Sequence, residues 1–170
     1  MASNPLSLRV RPARPADAVA LCEVLNAIVE IGGTTAIEDP LTVAEFGACF
    51  LAGARHLCCL VAEDEATGRQ FGFQALEQQA DLPADWGDIA TFARTEPKLP
   101  GVGTLLFGAT KARAHELGLA AINATIRADN KAGLAYYSKM GFETYKVDEA
   151  MPLKDGTPVD RVSKRYLMHR

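Results

Sequence analysis

A turn with two glycines, Lys98-Leu99-Pro100-Gly101-Val102-Gly103, runs directly into a helical pattern, and that junction is suited to hold an anion. The first four N–H groups of a helix have no intrahelical acceptor, and the macrodipole adds partial positive charge there. Glycines let the main chain approach a bulky group, so these residue types suit a phosphate. Two well-known versions are excluded. No third glycine of the dinucleotide fingerprint falls between Thr104 and Phe107, and no Gly-Lys-Ser/Thr of a nucleotide loop follows. A glycine pair before a helix is also a common tight connection, so the residues downstream must decide.

Other chemistry-bearing residues give less. Cys22, Cys49, Cys58 and Cys59 show no CxxC spacing and read as reduced, buried thiols of a cytoplasmic protein. His56, His115 and His169 are far apart and suggest no metal site. A net charge of −3 offers no broad attraction to nucleic acid or to an anionic membrane. No apolar run reaches the length of a spanning helix, and no secretory leader opens the chain. At 170 residues, 48% of them hydrophobic, the chain fits one domain, residues 1–170, with a real core.

The elements that must position the turn follow from pattern. Leu8 to Arg11 reads as a strand. Pro15-Ala16-Asp17 starts a helix with Val19, Leu21, Cys22, Leu25, Ile28 and Val29 as its apolar face, stopped by Gly32-Gly33-Thr34-Thr35. Thr42 with Glu45 three residues on forms a capping box for a helix to about Leu51. His56 to Glu63 and Gln70 to Glu77 make a hairpin around Asp64–Gly68. After the polar loop Gln78 to Trp86, Asp88 to Arg94 is another strand. The helix behind the glycine turn places Leu105, Leu106, Ala109, Ala112 and Leu117 near one face, and Gly118 stands at its C-terminal cap. Leu119 to Ile126 is a buried strand, Asn130 to Gly141 a short helix, and Glu143 to Met151 with Val159 to Met168 a closing antiparallel pair.

That order, with Lys98 to Gly103 and the run Asn130 to Phe142 (NKAGLAYYSKMGF), resembles the GNAT superfamily of acetyl-CoA-dependent N-acetyltransferases. The first segment is similar to the family's Gln/Arg-x-x-Gly-x-Gly/Ala. The second is similar to its Asn, followed seven residues later by Tyr and then by Gly-Phe. Within the superfamily the chain resembles the phosphinothricin acetyltransferase branch, through Asn26 to Phe46 and through Asp88, which falls where the branch carries a glutamate. The resemblance implies a mixed α/β fold: a twisted, mostly antiparallel sheet of about seven strands, about four helices, and fourth and fifth strands that splay apart.

It also implies roles. The pantetheine arm of acetyl-CoA would lie in the splay against the main chain near Thr91, Phe92 and Ala93. The diphosphate would sit on N–H groups of the turn, in a site made of Lys98, Leu99, Pro100, Gly101, Val102, Gly103 and Thr104. Two residues depart from the family pattern: Pro100 supplies no N–H, and Lys98 keeps a charge without a planar fork. Asn130 would bond the cofactor arm, or cap the helix it opens, or both. Amide formation from a thioester needs a deprotonated amine and a stabilised leaving thiolate. Asp88 is the first candidate for the base and Glu77 the second; Tyr137 matches the tyrosine that donates to sulfur, and its neighbour Tyr136 reads as core. The plain alternatives are a solvated strand entry for Asp88 and aromatic packing for Tyr137. Thr34, Thr35, Trp86 and Asp160 are candidates to line the acceptor pocket. The implied reaction is acetyl transfer by direct attack of a small primary amine, an amino acid or its analogue, without metal. Two further readings stand beside it: a non-catalytic acyl-CoA sensor, and an acetyltransferase for protein lysines or N-termini. The resemblance also implies a homodimer, with the last strands and Trp86 near its interface.

Overall fold

The computed structural model describes residues 6–169. Seven strands and four α-helices follow one another as β1 (Leu8–Pro12), α1 (Ala18–Ile31), α2 (Val43–Phe46), β2 (His56–Asp64), β3 (Gln70–Glu77), β4 (Trp86–Ala93), α3 (Val102–Glu116), β5 (Ala121–Arg127), α4 (Lys131–Lys139), β6 (Glu143–Pro152) and β7 (Pro158–Leu167). A short 3₁₀ turn, Pro15–Asp17, leads into α1, and a π-turn, Gly47–Leu51, continues α2. The strands form one sheet in the order β1-β2-β3-β4-β5-β7-β6. Every pairing is antiparallel except that of β4 with β5. The mixed, mostly antiparallel sheet with four helices is as expected from the sequence.

Local chemistry sets the boundaries. Thr42 Oγ1 accepts from Glu45 N at 3.2 Å while Glu45 Oε2 accepts from Thr42 N at 2.7 Å, a complete capping box. Gly32, at φ 75°, ends α1 in a conformation that costs glycine little. Asn130 Oδ1 accepts from Gly133 N at 2.9 Å and caps α4.

Alternation along the strands splits the core in two. On one side Cys59, Val61, Phe73, Ala75 and Phe92 meet Leu21, Leu25, Phe46 and Phe50 from α1, α2 and the π-turn. Ring centroids in its Phe46–Phe50–Phe73–Phe92 group lie 5.1–5.9 Å apart. On the other side, Cys58, Leu60, Leu76, Ile89, Ile122, Ala124 and Ile126 meet Val102, Leu106, Phe107 and Ala114 of α3 and Tyr137 of α4.

Three details differ from the sequence reading. The buried residues of α3 are Val102, Leu106, Phe107, Thr110 and Ala114, whereas Leu105, Ala112 and Leu117 face solvent. Small residues on both faces of that helix blur its stripe, so the apolar pattern was read out of phase. Val19 is exposed on α1, and Val24 takes a core position. β4 begins at Trp86, so Asp88 is the third residue of the strand and not its entrance.

Candidate active site

β4 and β5 pair only through Trp86–Ala121, Gly87–Ile122 and Asp88–Asn123; from Ile89 onward they separate. The main-chain groups facing the separation follow from the ladder. Arg94 N donates to Phe71 O, and alternation then directs the N–H and C=O groups of Asp88, Ala90 and Phe92 toward β3. Those of Ile89, Thr91 and Ala93 face the gap. Of the three residues expected to meet a cofactor arm, Thr91 and Ala93 therefore present main-chain groups there, while Phe92 turns its own to β3 and its ring into the core. Such an edge is a template for an added strand-like segment.

At the wide end of the gap the turn enters α3. Gly101 is its N-cap at φ 86°, with open space where a Cβ would stand. The first intrahelical bond runs from Leu105 N to Gly101 O at 2.9 Å, leaving the N–H groups of Gly101, Val102, Gly103 and Thr104 without intrahelical acceptors. Val102 anchors the turn, buried against β2 and β3. Gly103 is required for a different reason: a Cβ on it would lie 2.7 Å from Tyr136 Cε2. An elongated ligand with an anionic centre fits this combination of free amides and unpaired strand edge.

The two faces of the sheet bring different side chains to the narrow end. On the α1–α2 face, Asp88 and Glu77 are cross-strand partners. Asn123 Nδ2 donates to Asp88 Oδ1 at 2.6 Å, and Tyr145 Oη donates to Asn123 Oδ1 at 2.6 Å. Burial pushes the Asp88 carboxyl up to about 6; the charge of Asp81 adds to this, while bonds from Asn123 and Gln79 oppose it. Glu77 is also raised, by burial first and by the charge of Asp88 second, against the pull of Arg55. Glu77 borders a cavity of about 230 Å3 lined also by Cys49, Arg55 and His56.

On the α3–α4 face stands a set of neutral polar groups. Tyr137 is buried, its hydroxyl 2.8 Å from Thr91 Oγ1, and burial raises its phenol well above the ordinary range. Gln74 Nε2 donates to Thr91 Oγ1 at 2.8 Å and to Tyr136 Oη at 3.1 Å, and Tyr136 Oη donates to Gly103 O at 2.7 Å. Tyr136 packs its half-buried ring against the core beside Tyr137, as read from the sequence, and its hydroxyl also pins the start of α3.

The other candidates divide into two places. Trp86 lies near Asp88, edge-on to Tyr145 with ring centroids 5.7 Å apart. Thr34 and Thr35 lie at the far end of β5, where Thr34 O accepts from Asn130 Nδ2 at 2.8 Å and Thr35 O from Arg127 Nη1 at 3.3 Å. Asn130 thus both caps α4 and ties down the loop after α1. Asp160 Oδ1 accepts from Ala150 N at 2.8 Å, at an irregularity of β6 where Ala150 has φ 52°. Lys98 and Pro100 are in the turn itself, as expected from the sequence. The sequence reading passed over Gln74, Asn123 and Tyr145. An amide set inside an apolar stretch, Phe71 to Leu76 for Gln74 and Leu119 to Ile126 for Asn123, is the only signal for the first two.

No family model matches the chain. The L-methionine sulfoximine/L-methionine sulfone acetyltransferase of Pseudomonas paraeruginosa is 28% identical over 142 residues, covering 81% of each chain. Among solved structures, a GNAT superfamily phosphinothricin acetyltransferase from Sinorhizobium meliloti in complex with acetyl-CoA superposes with a TM-score of 0.82 at 21% identity, covering 96% of this chain and 89% of that one. A GCN5-related N-acetyltransferase from Kribbella flavida gives 0.80 at 23% identity, covering 94% and 97%. The fold is the GNAT fold.

Proposed function

We propose that the protein is an acetyl-CoA-dependent N-acetyltransferase for a small primary amine, an amino acid or amino-acid analogue. The observation that carries this reading is the β4–β5 gap. It runs from the free amides of α3 to a narrow end with the Asp88 carboxylate on one face of the sheet and the Tyr137 hydroxyl on the other. Similarity to a methionine sulfoximine and sulfone acetyltransferase supports the acceptor class.

When bound, acetyl-CoA supplies an acetyl thioester whose C–S bond breaks as the new C–N bond forms, the electron pair leaving on sulfur. In this reading the amides of Gly101 to Thr104, with Leu99 and the Lys98 ammonium, hold the diphosphate. Pro100 adds no donor, at a cost of about 1 kcal/mol for the bond it cannot make. Thr91 and Ala93 pair with the amides of the pantetheine arm, and Asn130 closes the far side. Asp88, ionised above pH about 6, takes a proton from the acceptor's ammonium group, and Tyr137 donates a hydrogen bond to the departing sulfur. Trp86 flanks the acceptor near Asp88, while Thr34, Thr35 and Asp160 shape its more distant approach. The same reading includes a single domain, a cytoplasmic location and a homodimer joined near the last strands.

The test is release of CoA thiol when the protein is mixed with acetyl-CoA and a panel of amino acids, their sulfoximine and phosphinic analogues, and lysine peptides. Thiol release with the free amino-acid analogues is expected, and Tyr137→Phe should slow it by a factor on the order of 10². Faster turnover of peptides would transfer the reading to protein acetylation. Tight acetyl-CoA binding without amine-dependent release would reduce the protein to a sensor.

A further inference from the structure

The polar chain on the α3–α4 face has a direction, fixed from one end. A main-chain carbonyl only accepts, so Tyr136 spends its single proton on Gly103 O. Its oxygen must then receive, and the group facing it is the fully buried side chain of Gln74. Turning that amide over would set Gln74 Oε1 against an oxygen with no proton left to give. The amide therefore presents Nε2, whose two protons go to Tyr136 Oη and Thr91 Oγ1, and Oε1 is left buried without a partner. Among the described residues, the acceptor that bonds the Thr91 hydroxyl is Tyr137 Oη at 2.8 Å. With Thr91 donating, the proton of Tyr137 is not consumed inside the chain.

We propose that Gln74 is a positioning residue: its amide makes Thr91 a donor to Tyr137, which leaves the Tyr137 hydroxyl proton directed at the β4–β5 gap. This rests on the transferase reading for its purpose, the hydrogen bond to the departing sulfur, but not for its geometry. It also ties that proton to the turn before α3, because the chain begins at Gly103 O. Whatever holds Gly103 in place holds the orientation of the Gln74 amide on β3.

Tyrosine labelled with 13C at Cζ reads the direction without turnover, and Tyr137→Phe assigns the resonance. Donation by a phenol moves Cζ toward its phenolate position. In Gln74→Met, Thr91 loses the incoming hydrogen bond that polarises its hydroxyl, so its donation to Tyr137 weakens or reverses and the Tyr137 resonance should move that way. Tyr136→Phe frees the amide to turn over and should move it in the same direction, which preserves the test if Gln74→Met does not fold. A resonance unmoved in both variants overturns the proposal. In turnover, Gln74→Met should lower kcat roughly five- to tenfold, the worth of one hydrogen bond, with KM for acetyl-CoA within about twofold. In the Tyr137→Phe background it should add nothing; full additivity there would make Gln74 a packing residue and overturn the proposal. A moved resonance in a protein that releases no thiol would retain the hydrogen-bond direction and remove the transferase reading instead.

Discussion

Two pairs of buried or half-buried carboxylates belong to the α1–α2 side of the sheet, and the difference between them separates structure from chemistry. Asp17 and Glu63 share a guanidinium: Arg11 reaches Asp17 at 2.8 and 2.9 Å and Glu63 at 2.7 Å, and Arg9 adds a second cation on Glu63. Both carboxyls are held below their ordinary range, chiefly by the hydrogen bonds from Arg11. Asp88 and Glu77 have no ion pair among the described residues. Asp88 is bonded by the amides of Asn123 and Gln79, Arg55 acts on Glu77 only at longer range, and both carboxyls are raised, chiefly by burial. A carboxylate clamped by arginine keeps its charge through the physiological range and can only hold β1 and β2 to the start of α1. Asp88, buried without a cation, is pushed up to about 6, a range in which a general base is useful.

The largest effect should come from breaking the clamp. Arg11→Met leaves two carboxylates out of water without their shared cation, which costs about 3–5 kcal/mol. Chemical denaturation at pH 7 should show that loss. In the wild type, the stabilisation from depressed Asp17 and Glu63 is present above the unfolded values near 4 and is lost as pH falls through the lower folded ones. Acid unfolding of Arg11→Met should accordingly begin at higher pH.

Asp88→Asn should act in opposite senses on activity and stability. Loss of the base slows turnover at pH 8 by a factor on the order of 10². For stability, the unfolded aspartate ionises near 3.9 and the folded one at about 6, so the fold is penalised progressively as pH rises between those values and by a constant amount above. Asparagine removes the penalty. The variant should be more stable than wild type at pH 8, by up to ~3 kcal/mol, and unchanged at pH 4. Thermal unfolding at the two pH values measures this; equal stability at pH 8 would mean that Asp88 titrates normally and is not tuned.

What could be read from the chain beforehand was what is local. The capping box of Thr42 and Glu45, the hairpin around Asp64–Gly68 and the glycine turn before α3 each depend on residues a few positions apart, and each is where the sequence placed it. Asp88 and Tyr137 are candidates through a family resemblance. Their surroundings were not legible, because the bonds join residues far apart in sequence: Gln74 to Tyr136, Asn123 to Asp88, Tyr145 to Asn123. Gly103 shows the same limit from the other side. Its sequence context suggests room for a phosphate, while the structure places the Tyr136 ring, 33 positions on, where a side chain would be. The out-of-phase reading of α3 has a simpler cause, since a helix packed with Ala114 and Thr110 gives little contrast between its faces.

The smallest effect is the one that decides between the two unpaired carboxylates. Glu77 and Asp88 face each other across β3 and β4, so each disfavours ionisation of the other. If Asp88 is the base, Glu77→Gln only removes a neighbouring negative charge. Asp88 then ionises more easily, and the acid limb of the kcat/KM profile should move down from about pH 6 by less than about one unit, while kcat at pH 8 stays within roughly twofold. If Glu77 is the base, the same substitution costs a factor on the order of 10² on the high-pH plateau, where the wild-type carboxylate is ionised. A pH profile of this single variant therefore assigns the base, because a shifted limb and a lost rate cannot be confused.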